Sequence, residues 1–455
     1  MKKRMYKIMA LAMTAAMVVP MAAQTTAFAA DDKEITYWNI AVESPDKDIV
    51  TAAVDKFNKE TESGYTVNSV AIQNDTYKEK LVIAMSSGEC PDMYSSWSGG
   101  PMYEYIDSGF AQPIDDLLDQ SDIKDKLLDA AIEQGSYNGH VYAIPYLNVS
   151  LAGIFYNKDM FKQYGLEEPK TLADLENICA TLKENGITPF ALANASKWTG
   201  SMYFMSLAAR YGGLEPFQNA VAGTGKFTDD CFIKAGEKIQ EWVNNGYFPD
   251  GVNSLSEDDG QAKQLLYQET AGMLLCGSWY TGTFQTDSEE FYQKIGWFPF
   301  PAIDDSDADP TIQIGTVGDQ FISFNCEGDK LAAAFECAAD HLSDEVEDMI
   351  YSTGKIAPVK DAGDHISDPV VKEIFDAAQE ASSIQLWYDQ YLPTSVATAH
   401  LDGLQEVFGL TKTPQEAQEE MQKAMDEYLS TKSDSGAADD TAEEATDDAA
   451  ADDAE

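Results

Sequence analysis

The chain has 455 residues, of which 44% are hydrophobic, and a formal net charge of −48 at pH 7. This length is enough for two domains with their own cores. The acidic balance excludes nucleic acid and anionic membranes as partners of the surface as a whole. Arg210 is the only arginine after residue 30. An anionic ligand is therefore disfavoured, because guanidinium groups usually bind phosphate and carboxylate, although lysines or helix N-termini could substitute.

The N-terminal segment has the pattern of a secretory signal peptide. Four basic residues precede an apolar run from Ile8 to Met21, and small residues follow at Ala27 and Ala29. A membrane anchor is the alternative, but the run is shorter than the ~20 residues that a spanning helix needs. Because no cysteine ends this run, no lipid-acceptor cysteine is present there. We expect export to the extracellular space, cell surface or periplasm, with no lipobox cysteine.

Strands and helices alternate in the first part of the mature chain. Hydrophobic periodicity predicts strands at 34–40 and 66–72 and helices at 48–57 and 76–86, and residues 88–94 lead into a third strand. This order is typical of an α/β domain. In such domains ligands bind outside the carboxyl ends of the strands.

Residues 141–161 connect this first α/β segment to a long helical region. The stretch is rich in β-branched and aromatic residues and is interrupted at Pro145 and Gly153. It therefore predicts two extended segments in tandem. Thr171 and Asp174 then form a helix-start box. An extended connection between two bodies is suited to a hinge.

Several motifs resemble the family 1 extracellular solute-binding proteins of ABC importers, the group that includes maltose-binding protein. They are Tyr142-Ala-Ile-Pro145, Phe155-Tyr-Asn-Lys-Asp-Met-Phe161, Pro169-Lys-Thr-Leu-Ala-Asp-Leu175 and Gly277-Ser-Trp279. The resemblance implies an α/β, two-lobed periplasmic-binding-protein-like fold of type II. In that fold each lobe is a β-sheet flanked by helices, and a three-segment hinge joins the lobes.

The resemblance and the predicted elements divide the chain into six parts. These are a signal peptide (1–30), two parts of lobe 1 (31–148 and 299–352), two parts of lobe 2 (149–298 and 353–432) and an acidic tail (433–455). The tail carries ten acids, no base and no bulky residues. We expect it to be a disordered, solvating extension, since it cannot bury enough apolar surface to fold.

The resemblance also implies a ligand site in the cleft between the lobes. We expect the ligand to contact Asn39, Gln73, Trp97, Trp198, Trp279, Asp319, Trp387 and Asp389. Trp198, Trp279 and Trp387 would cover the apolar faces of sugar rings, and the polar side chains would bond hydroxyl groups. For Trp279 and Trp387, packing within the structure remains the alternative interpretation.

These features predict a non-enzymatic, monomeric binding protein without a cofactor. Its ligand would be an uncharged oligosaccharide, because three tryptophans are more than one sugar ring needs. Its partners would be the permease subunits of an ABC transporter. A cationic solute such as a polyamine is one alternative, since aromatic and acidic groups also suit it. A secreted glycoside hydrolase is the other, but an acid pair at a workable spacing is nearly worthless as a signal in a chain with so many carboxylates.

No metal site or catalytic nucleophile can be assembled from local motifs. The four histidines are isolated, and the six cysteines include no Cys-x-x-Cys pair. Asp305, Asp307 and Asp309 begin like a calcium loop, but Pro310 replaces the required glycine. We expect the cysteines to be buried free thiols, with disulfides as the alternative.

Overall fold

The computed structural model describes residues 33–449, and from residue 433 onward it describes the backbone alone. The predicted signal peptide lies outside the described residues. The strands are β1 (Glu34–Asn39), β2 (Thr66–Ala71), β3 (Met93–Ser96), β4 (Ser136–Tyr137), β5 (His140–Val141), β6 (Ala143–Tyr146), β7 (Ser150–Asn157), β8 (Thr188–Phe190), β9 (Ala271–Gly277), β10 (Ile295–Pro299), β11 (Gln313–Thr316), β12 (Gln320–Phe324) and β13 (Ile384–Gln385).

Helices cover most of the remaining chain. They are α1 (Asp46–Glu60), α2 (Asn74–Ser87), α3 (Gly100–Asp107), α4 (Asp115–Asp119), α5 (Ile123–Lys126), α6 (Asp129–Gln134), α7 (Lys158–Tyr164), α8 (Leu172–Glu184), α9 (Trp198–Gly212), α10 (Glu215–Val221), α11 (Asp230–Asn244), α12 (Gln261–Tyr267), α13 (Tyr280–Asp287), α14 (Glu289–Tyr292), α15 (Gly328–Asp340), α16 (Asp344–Ser352), α17 (Pro369–Glu380), α18 (Tyr388–Tyr391), α19 (Thr394–Phe408) and α20 (Pro414–Ala449). Within residues 33–449, no helix is long and apolar enough to cross a membrane.

The first lobe is built on a five-stranded sheet with the order β2-β1-β3-β12-β6. Strand β1 runs parallel to β2 and β3, and β12 runs antiparallel to β3 and β6. Helices α15 and α16 pack against α1. Pro145 lies in β6, an edge strand, where the missing N–H costs no ladder hydrogen bond on the open side.

The second lobe is built on a sheet with the order β13-β11-β7-β9-β8, and β10 also pairs with β7. Every residue of β7 is buried. Gly153 interrupts its apolar pattern because the Trp297 ring lies against it, and a Cβ there would be 2.2 Å from that ring. Since β6 and β7 belong to different sheets, the extended connection joins two lobes, and the predicted two-lobed α/β fold is confirmed.

The chain returns to the first lobe later than the boundary expected at residue 299. Strands β10 and β11 both pair with β7, so the change of sheet falls between Thr316 and Gln320. Arg210 of α9 explains why this segment stays with the second lobe. Its buried guanidinium donates to Phe300 O at 2.9 and 3.2 Å and to Ile312 O at 2.7 Å. Arg210 thus fixes a loop rather than binding a ligand.

Asn148 joins the three segments that cross between the lobes. Its backbone oxygen accepts from Asp319 N at 2.7 Å, and its Oδ1 accepts from Ile356 N at 2.8 Å. Its Nδ2 donates to Ser278 Oγ at 3.4 Å. The preceding Leu147 has a φ of +81°, a backbone conformation that side chains rarely adopt. The three crossings predicted from the family resemblance therefore meet at one buried asparagine.

The third crossing remains tied to the first lobe beyond the boundary expected at residue 353. Lys360 N donates to Lys126 O at 3.0 Å, and Leu128 N donates to Pro358 O at 3.0 Å. Helix α17 then packs against β10 of the second lobe.

The expected disorder of the acidic tail is wrong for its first part. Helix α20 runs from Pro414 to Ala449, so residues 433–449 are helical. Alanine and glutamate are good helix formers, and extending an existing helix avoids the cost of nucleation. The lack of bulky residues prevents this segment from forming a packed core, but a helix that continues an existing helix does not need one. Residues 450–455 lie outside the described residues.

Replacing Asn148 with alanine is expected to lower the free energy of unfolding by about 2 kcal/mol. The change leaves the Ile356 N–H buried and without an acceptor, which typically costs 1–3 kcal/mol. Urea unfolding followed by circular dichroism measures the effect. The control is Asn185→Ala, since Asn185 is exposed and bonds only within its own helix end. A shift of at most about 0.5 kcal/mol is expected there, and equal losses in both variants would contradict the role of Asn148.

Candidate functional site

The space between the lobes contains two connected cavities. The central cavity has a volume of about 220 Å³ and is lined by Ile40, Asp46, Asn74, Lys78, Trp97, Trp198, Met202, Met205, Glu257, Asp258, Trp279, Asp319, Gln320, Trp387, Asp389 and Gln390. The side cavity, of about 430 Å³, shares Ile40, Asp46, Glu257, Asp258 and Trp279 with it. The two cavities therefore form one continuous cleft.

Three indole rings form a cluster on the second-lobe wall of the cleft. Trp198 begins α9, Trp279 follows β9, and Trp387 precedes α18. The ring centroids of Trp198 and Trp279 are 6.0 Å apart, and those of Trp279 and Trp387 are 5.9 Å apart. Trp387 is only 2% exposed, so it supports the Trp279 ring and has little free surface of its own. Nε1 of Trp198 is buried without a hydrogen-bond partner in the described residues.

Gly277 determines where the Trp279 ring lies. A Cβ at this position would be 2.0 Å from the ring, so the indole folds back over the strand end at a place where only glycine fits. The neighbouring Ser278 bonds to β7 through its Oγ, which accepts from Leu151 N at 3.3 Å. In the Gly-Ser-Trp sequence, the glycine thus orients the indole ring and the serine bonds the end of β9 to β7.

Trp97 and Lys78 form the opposite, first-lobe wall. Trp97 follows β3, and its ring makes an edge-on contact with Tyr77 at a centroid distance of 6.0 Å. The Lys78 ammonium lies 5.0 Å from the Trp97 ring centroid. It also bonds to Asp389 Oδ2 across the cleft at 3.3 Å. An aromatic surface therefore faces the indole cluster from the other lobe.

Carboxylates surround the cleft, and two of them have strongly shifted pKa values. Burial raises the pKa of Glu257 to about 7, against the opposing effect of its hydrogen bond from Tyr280. Burial likewise raises the pKa of Asp319 to about 7, while the nearby Lys355 lowers it and Asp46 raises it. Lys355 itself is paired with Asp46. The cleft therefore presents hydrogen-bonding carboxyl groups whose charge changes near neutral pH.

Six of the eight residues expected from the sequence line the central cavity. They are Trp97, Trp198, Trp279, Asp319, Trp387 and Asp389. Gln73 lines the side cavity. Asn39 lines neither: it is buried, its Nδ2 donates to Ser69 Oγ at 2.8 Å, and its Oδ1 accepts from Ala41 N at 3.0 Å. Its amide therefore holds the loop after β1 and is not free to meet a ligand.

The sequence interpretation missed Glu257, Asp258 and Lys78. Glu257 and Asp258 lie in a turn between a 3₁₀ segment and α12, and no local pattern separates them from the many other acids. Lys78 lies on α2, next to Tyr77, whose ring contacts Trp97. Asp258 Oδ2 accepts from Asp75 N at 3.1 Å, a contact that joins the two lobes. Within the described residues, no group of histidine, cysteine or acidic side chains is arranged to hold a metal ion.

The fold and cleft define a two-lobed solute-binding protein. A family model described as bacterial extracellular solute-binding protein matches residues 41–339, and the chain belongs to this family. The family consists of binding proteins rather than enzymes, and its extracellular location implies export.

Curated relatives show the same likeness over shorter stretches. The chain is 32% identical over 228 residues to an uncharacterized ABC transporter extracellular-binding protein of Pyrococcus horikoshii, covering 50% of each chain. It is 30% identical over 178 residues to the multiple sugar-binding protein of Streptococcus mutans, covering 36% of this chain and 39% of that one. The chain thus spans half the length of the first relative and less of the second.

A solved structure matches nearly the whole described chain. It comes from work on xylan utilization by Caldanaerobius polysaccharolyticus and is 29% identical, with a TM-score of 0.78. The match covers 86% of this chain and 99% of that chain.

Replacing Gly277 with alanine is expected to displace the Trp279 ring and to lower the melting temperature. The new methyl group would overlap the ring, and such overpacking typically costs 1–3 kcal/mol. The test is a double-mutant cycle in thermal melts. In the Trp279→Ala background, Gly277→Ala should cost little, since the overlapping ring is gone. A cost that is equal in both backgrounds would show that the glycine serves the backbone instead.

Deprotonation of Glu257 is expected to make the unliganded protein less stable as pH rises. Its folded-state pKa of about 7 lies above the ordinary value of 4.5, so the folded chain holds more protons between these values. Stability therefore falls as pH rises from about 4.5 to 7. Thermal melts at pH 5 and pH 8 should show a smaller loss for Glu257→Gln than for the natural protein. The exposed Glu380→Gln is the control and should keep the natural slope; an unchanged slope in Glu257→Gln would contradict the shift.

Proposed function

We propose that this protein captures an uncharged oligosaccharide between its lobes and delivers it to the permease of an ABC importer. The observation that carries the proposal is the indole cluster of Trp198, Trp279 and Trp387 facing Trp97 across the cleft. Flat aromatic surfaces suit the C–H faces of sugar rings. Aromatic walls on both lobes would let one ligand bridge them and favour the closed form.

The polar groups of the cleft would set the orientation of the ligand. Asp319, Asp389 and Glu257 would accept hydrogen bonds from sugar hydroxyls, and Lys78 would donate one. The unpartnered Nε1 of Trp198 offers one further donor. The names of two similar proteins support a saccharide, since one is a multiple sugar-binding protein and the other is associated with xylan utilization.

A cationic solute is the second candidate, because acids outnumber bases in the cleft. Asp46, Glu257, Asp258, Asp319 and Asp389 line the central cavity, whereas Lys78 is the only base among its lining residues. Indole faces also attract ammonium groups. A test of function must therefore compare neutral and cationic ligands directly.

The test is isothermal titration with a panel of neutral oligosaccharides and polyamines, using the protein without its signal peptide. We expect at least one oligosaccharide to bind and Trp279→Ala to weaken it by about 2 kcal/mol, roughly 30-fold in Kd. Tyr164→Ala is the control, because Tyr164 lies on α7 outside both cavities and should leave affinity unchanged. Binding of polyamines alone would replace the proposal with the second candidate.

Two further readouts complete the panel. X-ray scattering should show a decrease in the radius of gyration when the binding saccharide is added. The saccharide should remain chemically intact over hours, and its hydrolysis would contradict a binding function.

A further inference from the structure

A third cavity lies beside the central one and differs from it in chemistry. It has a volume of about 200 Å³ and is lined by Lys78, Leu81, Val82, Ser96, Trp97, Pro101, Met102, Tyr105, Asp389, Gln390, Thr394, Ala397, Thr398 and Leu401. Most of these side chains are aliphatic or aromatic. We call it the apolar cavity. It lies between α2 and α3 of the first lobe and α18 and α19 of the second.

Four residues separate the apolar cavity from the central cavity and line both. They are Lys78, Trp97, Asp389 and Gln390. The side chains of the partition contact one another: Lys78 Nζ lies 3.3 Å from Asp389 Oδ2 and 5.0 Å from the centroid of the Trp97 ring. The Asp389 side chain is only 9% exposed, so a ligand that displaces this pair must itself bond to the Asp389 carboxylate.

Both lobes contribute to the walls of the apolar cavity. The backbone of Gly99 and Gly100 lies against Gln390 to Leu392, where a Cβ on either glycine would be 2.2–2.5 Å from a carbonyl oxygen. At the rim, Glu104 accepts from Thr394 N at 2.9 Å and from Thr394 Oγ1 at 2.6 Å. The apolar cavity therefore lies where the two lobes meet, as the central cavity does.

We propose that the apolar cavity takes an apolar substituent of the captured saccharide, such as an aryl or acyl group. This inference rests on the proposed function and specifies its ligand class. A cavity of about 150 Å³ with an apolar lining binds benzene in other proteins, so about 200 Å³ accommodates one substituted aromatic ring. Continuity through the four shared residues connects this ring to a sugar in the central cavity. The natural ligands are then substituted glycans or glycosides rather than plain oligosaccharides.

The test compares matched ligands by isothermal titration. Xylotriose, maltotriose and cellotriose are each measured alone, with a p-nitrophenyl group at the reducing end, and with a benzoyl group at the non-reducing end. We expect one substituted form to bind at least tenfold more tightly than its parent. Thr398→Trp should abolish this gain, because Thr398 is exposed at the cavity and the indole would fill it. The parent saccharide should keep its affinity within about twofold.

Ser395→Trp is the matched control. Ser395 is exposed on the same helix but does not line the apolar cavity, so the gain should persist. Equal affinities of parent and substituted ligands, or a gain that survives Thr398→Trp, would overturn the inference while leaving the proposed function intact. Parallel weakening of both ligands by Thr398→Trp would show that the cavity serves lobe closure and would also overturn it. Failure of every saccharide, plain or substituted, would overturn both proposals.

Discussion

The buried hydrogen bonds of Asn148 are the constraint on which the two-lobed structure depends. One residue bonds to the backbone of both other crossing segments, through Asp319 N and Ile356 N. A buried N–H without an acceptor is costly, so these bonds hold the three crossing segments together. The crossing segments also carry Asp319 and Lys355, which line the cleft. The residues that join the lobes thus lie next to the residues that line the candidate site.

Much of the fold could be predicted because its local signals are strong. The Thr171–Asp174 box forms with both reciprocal bonds, as predicted. The three indoles of the second lobe could be predicted because each follows or precedes a recognisable element. That they form one cluster could not be predicted without the fold, since nearly two hundred residues separate Trp198 from Trp387.

Other features were missed because they depend on distant partners. The position of β11 in the second lobe follows from its pairing with β7 and from Arg210, which lies about a hundred residues away in sequence. Asn39 looked like a ligand group, but its amide is satisfied within its own lobe by Ser69 and Ala41. Nothing in the local sequence distinguishes a polar side chain that is already bonded from one that is free. For the same reason, Glu257 and Asp258 of the cleft could not be distinguished from the many exposed acids.

Polar contacts join the two lobes across the cleft, beside the close backbone packing of Gly99 and Gly100 against residues 390–392. They are the Lys78–Asp389 pair, the bond from Asp75 N to Asp258 and the Thr394–Glu104 bonds. Under the proposed function, a solute that contacts both Trp97 and Trp279 would favour the form in which these contacts are made, through its differential affinity for that form. Because Lys78 and Asp389 also divide the central cavity from the apolar cavity, a ligand that displaces their pair must replace that closing contact with its own.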